Sequence, residues 1–217
     1  MSPRRLDLPD APGPAPDGAL SAPSALRNRA AILSVLTRIA PPTGRALEIA
    51  SGTGEHVVAF APALPGLIWQ PSDPDPARRT SIAAWAARHP APNLLPPIAL
   101  DACKPGWAAR QGPVDLIVLV NLIHLISDTE TAILIDEIGK ALSPGGILAL
   151  YGPFLRNGEA TSEGDARFHA SLRAQDPAIG YKDVVDIAAA LNRHGLSLFE
   201  TVKLPANNLM LCAERRI

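Results

Sequence analysis

The sequence predicts an α/β domain built on a mostly parallel sheet with helices on both faces. Three observations predict it. Strand-like and helix-like segments alternate from residue 46 to residue 151, as parallel sheets require. Residues 114–120 are apolar on both faces apart from Asp115, the pattern of a central parallel strand. The chain then ends on two β-like runs, 196–204 and 209–213, whose short connection makes them antiparallel.

Each element has its own signal. Residues 1–22 are rich in Pro, Ala, Gly and Asp and predict a flexible tail, leaving 23–217 as one domain. Ser24 is placed to cap a helix whose apolar positions Leu26, Ala30, Leu33, Leu36 and Ile39 recur at helical spacing, and Pro41, Pro42 and Gly44 stop it. Residues 46–49 read as a buried strand, and Ser51-Gly52-Thr53-Gly54 turns into a helix over 56–61. A second strand is expected at 67–70, a helix at 79–88 and a brief third strand at 98–100. Ser127 and Glu130 form a capping box for a helix running to Leu142. Pro144-Gly145-Gly146 ends that helix, and 147–151 is the fifth strand. Residues 167–174 look helical, and Asp183 caps a last helix that stops at Gly195.

Composition narrows the class. The 217 residues are 47% hydrophobic and 19% charged, which is a globular balance. A formal net charge of −1 gives no electrostatic footprint for nucleic acid. Cys103 and Cys212 are far apart and suit a reducing compartment. The longest apolar run, 116–126, is interrupted by Asn121 and His124 and is well short of the ~20 residues that span a bilayer. No apolar stretch follows the two N-terminal arginines as in a secretory signal, so a cytoplasmic protein is expected. The histidines show no ligand spacing, and no metal is expected.

The chemistry concentrates where strands end. Glu48 precedes a small-residue turn, and Gly52 and Gly54 let backbone approach a nucleoside with no Cβ in the way. Ala50 and Ser51 belong to the same turn, and His56 opens the helix behind it. Asp73 ends the second strand, where a carboxylate can accept both ribose hydroxyls; before Pro74 and Asp75 it can equally cap a helix. Asp101, followed by Ala102, ends the third strand and can accept from an adenine amino group, or serve only as a turn aspartate. A nicotinamide oxidoreductase is the less favoured reading, because G-x-G-x-x-G is absent; no G-K-[ST] follows for a P-loop.

Leu47 to His56, Trp69-Gln70-Pro71-Ser72-Asp73, Ser81 to Trp85, Tyr151-Gly152-Pro153-Phe154 and Pro205 to Leu209 together resemble a methyltransferase-like family long filed as a domain of unknown function. The resemblance covers roughly residues 26–215. It implies the Rossmann-like fold of class I methyltransferases, with a seven-stranded sheet in the order 3-2-1-4-5-7-6 and a C-terminal antiparallel hairpin. It also implies binding of S-adenosylmethionine, with S-adenosylhomocysteine as product, and a small-molecule or protein acceptor that the resemblance does not identify. A binding module without catalysis is the alternative. The sequence departs from the family pattern after Ser127, where Pro-Trp is expected, and around Phe168-His169 and Asp176 to Asp183.

The protein's task in methyl transfer is to align the acceptor and, where needed, take its proton. His124 and Tyr151, which follow or end strands four and five, are the catalytic candidates. His124 is the base if its ring faces the acceptor, and a packed core histidine if it does not. Tyr151 is either catalytic or simply a pocket wall. Asn121 either positions the cofactor's amino group or caps its loop. His56 is expected at the cofactor's methionine end, since a helix N-terminus disfavours a charged imidazole. Arg27 and Asn28 either close over the cofactor or lie on an exposed helical face. Asn207 and Asn208 either fold over the site or merely form a hairpin turn.

Overall fold

The computed structural model describes Leu6 and residues 15–217. Its centre is β3 (Val114–Val120), the strand whose sequence is apolar on both faces. β3 pairs in parallel with β1 (Gly44–Ile49) on one side and β4 (Leu142–Gly152) on the other, and β2 (Leu67–Pro71) adds in parallel to β1. The C-terminal strands β5 (Leu196–Lys203) and β6 (Leu209–Arg215) form the expected hairpin, with β6 antiparallel to β4. Among the described residues the sheet has six strands, in the order β2-β1-β3-β4-β6-β5.

Strand periodicity sorts the core into two layers. Leu47, Ile49, Ile117, Leu119, Leu148 and Leu150 point to one face, against α5 (Asp128–Ala141) and α7 (Val184–Arg193). Ala46, Leu116, Val118, Ala149 and Tyr151 point to the other, against α1 (Pro23–Ile39), α2 (Val57–Ala63) and α3 (Pro76–Arg88). The one-turn α4 (Ala108–Gln111) and a 3-10 turn, Ile123–Leu125, flank β3, and α6 (Glu163–Gln175) follows β4.

The expected third strand does not form, so the sheet has six strands and not seven. Residues 90–100 run beside β2 but join it only through isolated parallel bridges, Trp69 with Leu94 and Ser72 with Ile98. Pro90, Pro92, Pro96 and Pro97 have no N–H to give a ladder, and this strand would be at the sheet's edge. The remaining strands keep the expected relative order.

The start of the domain also differs from expectation. The N-cap of α1 is Ala22, with Pro23 at the first helical position, and Ser24 lies inside the helix. Its buried face is Ala25, Asn28, Ile32, Val35 and Leu36, whereas Leu26 is half exposed. Of the expected flexible tail, residues 1–5 and 7–14 lie outside the described residues. Residues 15–22 are tied down: Asp17 pairs with Arg88, the Leu20 N–H donates to Ser81 Oγ at 2.8 Å, and Trp85 Nε1 donates to the Leu20 carbonyl at 2.7 Å. Caps at the other helices follow the sequence signals. Ser127 and Glu130 complete their capping box on α5, and Asp183 accepts from the Val185 N–H to start α7. No helix among the described residues is long and apolar enough to cross a membrane.

Candidate functional site

The carboxyl ends of β1 and β2 carry a loop in an unusual conformation. Ala50, Gly52 and Gly54 have φ of 53°, 59° and 95°, three left-handed residues within five. A non-glycine there costs about 1–2 kcal/mol, so Ala50 must be held by its surroundings. The holding bonds are specific. The Ser51 N–H donates to the Ser72 carbonyl at 2.8 Å, and the Ser72 N–H donates to Ser51 Oγ at 3.1 Å. Ser72 Oγ donates to the Glu48 carbonyl at 2.7 Å.

The two glycines serve different ends. A Cβ on Gly54 would stand 2.7 Å from the Ile82 Cα, so this glycine exists to let α3 approach. A Cβ on Gly52 would find only the Ala50 carbonyl, at 3.9 Å, so the space beside it is open. Close approach to a ligand, expected at both glycines, is thus available at Gly52 alone.

Three acidic residues were expected at strand ends, and their environments separate them. Glu48 is 1% exposed, and its Oε2 has no hydrogen-bond partner. Burial, reinforced by the nearby Asp73 charge and opposed by Ser51, pushes its carboxyl up to about 8. Asp73 is also buried. Its Oδ2 accepts from the Gly52 N–H at 3.1 Å and its Oδ1 from the Asp75 N–H at 3.0 Å, so it braces the loop. Burial raises its pKa, and these backbone bonds hold it back. The helix-capping alternative for Asp73 fails, because Asp75 caps α3 by accepting from the Ala77 N–H. Asp101 is the turn aspartate: Oδ1 accepts from the Cys103 N–H at 3.1 Å, and Oδ2 lies 3.1 Å from Lys104 Nζ. Ala102 is buried, and its carbonyl accepts from Trp107 Nε1 at 3.2 Å.

The ends of β3 and β4 are organised by mutual contact. Asn121 ends β3 with φ of 56°, and its N–H donates to the Tyr151 carbonyl at 2.9 Å. The Tyr151 ring is 2% exposed; its hydroxyl accepts from Asn208 Nδ2 at 2.8 Å and also bonds the Asn28 side chain. Burial raises the phenol's pKa, against both hydrogen bonds. Asn28 in turn lies 2.7 Å from His56 Nε2, and the His56 ring stacks on Phe60. Burial, with Arg29 nearby, lowers the imidazole to about 4. His56, Asn28, Tyr151 and Asn208 therefore form one polar chain tying α1, the start of α2, β4 and the β5–β6 turn. The expected exposed face for Asn28 is contradicted: it is 6% exposed, because this chain satisfies its amide inside the protein.

His124 sits on the 3-10 turn after β3, 5% exposed, edge-on to Phe168 and Tyr181 with ring centroids 5.9 and 5.8 Å away. Burial, with Lys182 nearby, lowers its pKa to about 3, so the ring is neutral across the physiological range. Around it, α6 and residues 176–183 form a cap. The Tyr181 hydroxyl donates to Asp165 Oδ1 at 3.3 Å, Asn207 Nδ2 donates to Asp165 Oδ2 at 3.0 Å, and Lys182 Nζ lies 3.1 Å from Asp128.

Sequence reasoning missed Glu55. It is fully buried: Oε1 accepts from Ser21 Oγ at 2.9 Å, and Oε2 from the Ala22 N–H and Thr53 Oγ1, both at 2.8 Å. It docks the start of α1 onto the glycine loop. A charged residue directly behind Gly54 was the available signal, but two of its three partners, Ser21 and Ala22, are more than thirty residues away.

Solved structures share this architecture. An O-methyltransferase family protein from Burkholderia thailandensis matches with a TM-score of 0.76 at 16% identity over 89% of this chain and 57% of its own. Human N-acetylserotonin methyltransferase, in complex with SAM, matches with a TM-score of 0.71 at 16% identity over 89% of this chain and 53% of its own. An O-methyltransferase family 2 protein from Planctomyces limnophilus, in complex with apigenin, gives 0.73 at 17% identity over 88% and 59%. The chain spans a little over half the length of these proteins, and at such identity the likeness is one of fold. A family model described as "protein of unknown function (DUF938)" matches residues 19–215, nearly everything from the pinned segment to the last strand, and the chain belongs to that family.

Proposed function

We propose that this protein binds S-adenosylmethionine at the carboxyl ends of β1 and β2 and transfers its methyl group to an acceptor. The observation that carries the reading is the unpartnered, buried Oε2 of Glu48, at the end of the strand that leads into the Gly52 loop. A buried acceptor atom without a donor is costly, and a cationic ligand with N–H donors would satisfy it. The strand order and the methyltransferase neighbours, one of them solved with SAM, support the same choice.

The bound cofactor supplies a methyl group already activated on a sulfonium, so the chain's own residues have to bind, orient and exclude water. Glu48 faces the cationic end, while the Gly52 backbone, braced by Asp73, permits close approach of the nucleoside. The spare lone pairs of Asp73 remain available to ribose hydroxyls. Asp101 and His56 are already engaged, by Lys104 and Asn28, and contribute shape more than binding. His124 is neutral at physiological pH and so has the protonation state of a base, but its ring is packed among aromatics. Tyr151 serves as a positioned wall held by two asparagines.

A binding module without catalysis is the second reading, and the occupied state of His124 and Tyr151 favours it. Incubation with methyl-labelled S-adenosylmethionine and cell extract separates the two. Turnover to S-adenosylhomocysteine with label in an acceptor is expected; binding without turnover across extracts would select the second reading.

A further inference from the structure

Lys182 is the most enclosed cation held in an ion pair among the described residues. Its side chain is 10% exposed, against 39% or more for every other lysine or arginine so paired. Its partner is the opposite case: Asp128, whose Oδ1 lies 3.1 Å from Lys182 Nζ, keeps 90% of its side chain in water. Asp128 opens α5, the helix that follows β3, so the pair stands at the carboxyl end of the sheet, where open α/β sheets bind their ligands. A helix N-terminus disfavours a cation, so the dipole of α5 gives no reason for an ammonium there. The backbone beneath it is fixed, because the Lys182 carbonyl accepts from the Leu155 N–H at 2.9 Å, just after β4. The surroundings are neutral or already engaged. His124, Phe168 and Tyr181 meet edge to edge, with centroids 5.8 to 6.0 Å apart, and burial together with Lys182 keeps His124 neutral. His169 Nδ1 accepts from the Tyr181 N–H at 2.9 Å, which only an uncharged imidazole can do. Asp165 is taken up by Tyr181 and Asn207, and Asp183 by the Gly158 and Val185 N–H groups.

We infer that Lys182 anchors a carboxylate of the methyl acceptor, which takes the place of Asp128 while a planar, apolar body seats against His124, Phe168 and Tyr181. The inference rests on the methyl-transfer site proposed above and names its substrate class, a small aromatic acid. The exchange of carboxylates favours the ligand. Asp128 returns to water that it already touches, and a pair with one partner in solvent is weakly held. An acid enclosed with the ammonium interacts through a lower dielectric and is held more strongly. The aromatic walls recognise the body of the ligand, and the single cation among them selects its charge.

Saturation-transfer NMR titrations of the full chain with benzoate and benzamide, with and without S-adenosylhomocysteine, test the anchor. Benzoate should bind, and benzamide, which has the same shape without the charge, should bind at least about tenfold more weakly. Lys182→Met keeps the apolar stem and should abolish that preference, whereas Lys182→Arg should retain it. Asp128→Asn removes the competing carboxylate and should bind benzoate several-fold more tightly. This surface variant keeps the test decisive even if Lys182→Met fails to fold. No binding of benzoate, equal binding of the two probes, an unchanged preference in Lys182→Met or no gain in Asp128→Asn would overturn the anchor. If S-adenosylhomocysteine does not bind while benzoate still depends on Lys182, the methyl-transfer reading falls and the anion site stands.

Discussion

The two halves of the crevice are finished differently. At the ends of β1 and β2 three residues within five are left-handed, and a buried carboxyl oxygen of Glu48 has no donor; the left-handed backbone is shared by Asn121 at the end of β3, the unmet oxygen is not. At the ends of β3 and β4 the polar groups have partners: Tyr151 bonds Asn208 and Asn28, Asn28 leads on to His56 at the start of α2, and Asp165 joins Tyr181 to Asn207. An unmet buried hydrogen bond is what a bound ligand can relieve. A side whose bonds are complete must break contacts before it admits anything. On the proposed reading the cofactor half is preformed, and the acceptor half has to break contacts to admit its substrate.

The sharpest way to break this comparison is within the glycine loop. Gly54→Ala combines a left-handed φ with a collision against α3 and should cost about 2–5 kcal/mol in urea denaturation. Gly52→Ala carries only the φ penalty of about 1–2 kcal/mol, and its larger effect should be on ligand affinity. Equal stability losses in the two variants would remove the distinction.

On the acceptor side, His124→Ala should lower stability by about 2–3 kcal/mol through lost ring packing. The rate of the folded fraction should hold if the ring only packs. A fall of ~10²–10⁴-fold at unchanged cofactor affinity would make His124 the base after all.

Glu48→Gln separates binding from stability. A bound cation favours the ionised form and draws the proton off this carboxyl; losing that charge-assisted contact, worth about 1.5–3 kcal/mol, should weaken S-adenosylmethionine tenfold or more. The folded carboxyl titrates near 8 and the unfolded one near its ordinary 4.5. Its contribution is therefore complete below 4.5 and is lost as pH rises through 8. The variant should gain melting temperature relative to wild type between those values. A stability gap independent of pH would contradict the buried, proton-holding carboxyl.

A further effect is on the acid side. His56 and His124 stay neutral in the fold down to about 4 and 3, while unfolded imidazoles protonate near 6.5. The unfolded chain binds more protons there, so stability should decline as pH falls from 6.5 towards 3. His56→Asn, which keeps a polar partner for Asn28, should shrink that decline in acid-denaturation profiles.

Much of the scaffold was legible because its signals are local. The doubly apolar run at 114–120 is β3 to the residue, and the capping box at Ser127 and Glu130 and the Asp183 cap each form as their residue types require. The third strand was misread because three apolar residues, 98–100, cannot show that the prolines before them deny a ladder. In the site, strand ends located Glu48, Asp73 and Asp101, but only side-chain partners distinguish them. Lys104 takes up Asp101, and nothing takes up Glu48 Oε2. Glu55 was missed, and the roles of Asn28 and Asn208 were left open, for a related reason: each matters through a partner far away in sequence, which no periodicity encodes.

The central claim is that the cofactor half is already formed, and calorimetric titration of S-adenosylhomocysteine tests it most directly. One molecule should bind per chain, stabilising the fold by about 2.7 kcal/mol at a hundredfold excess over Kd. Asp73→Ala, which frees the Gly52 loop and removes the proposed ribose acceptor, should bind roughly tenfold or more weakly while remaining folded. No binding at saturating ligand, with NADH binding instead, would contradict the account.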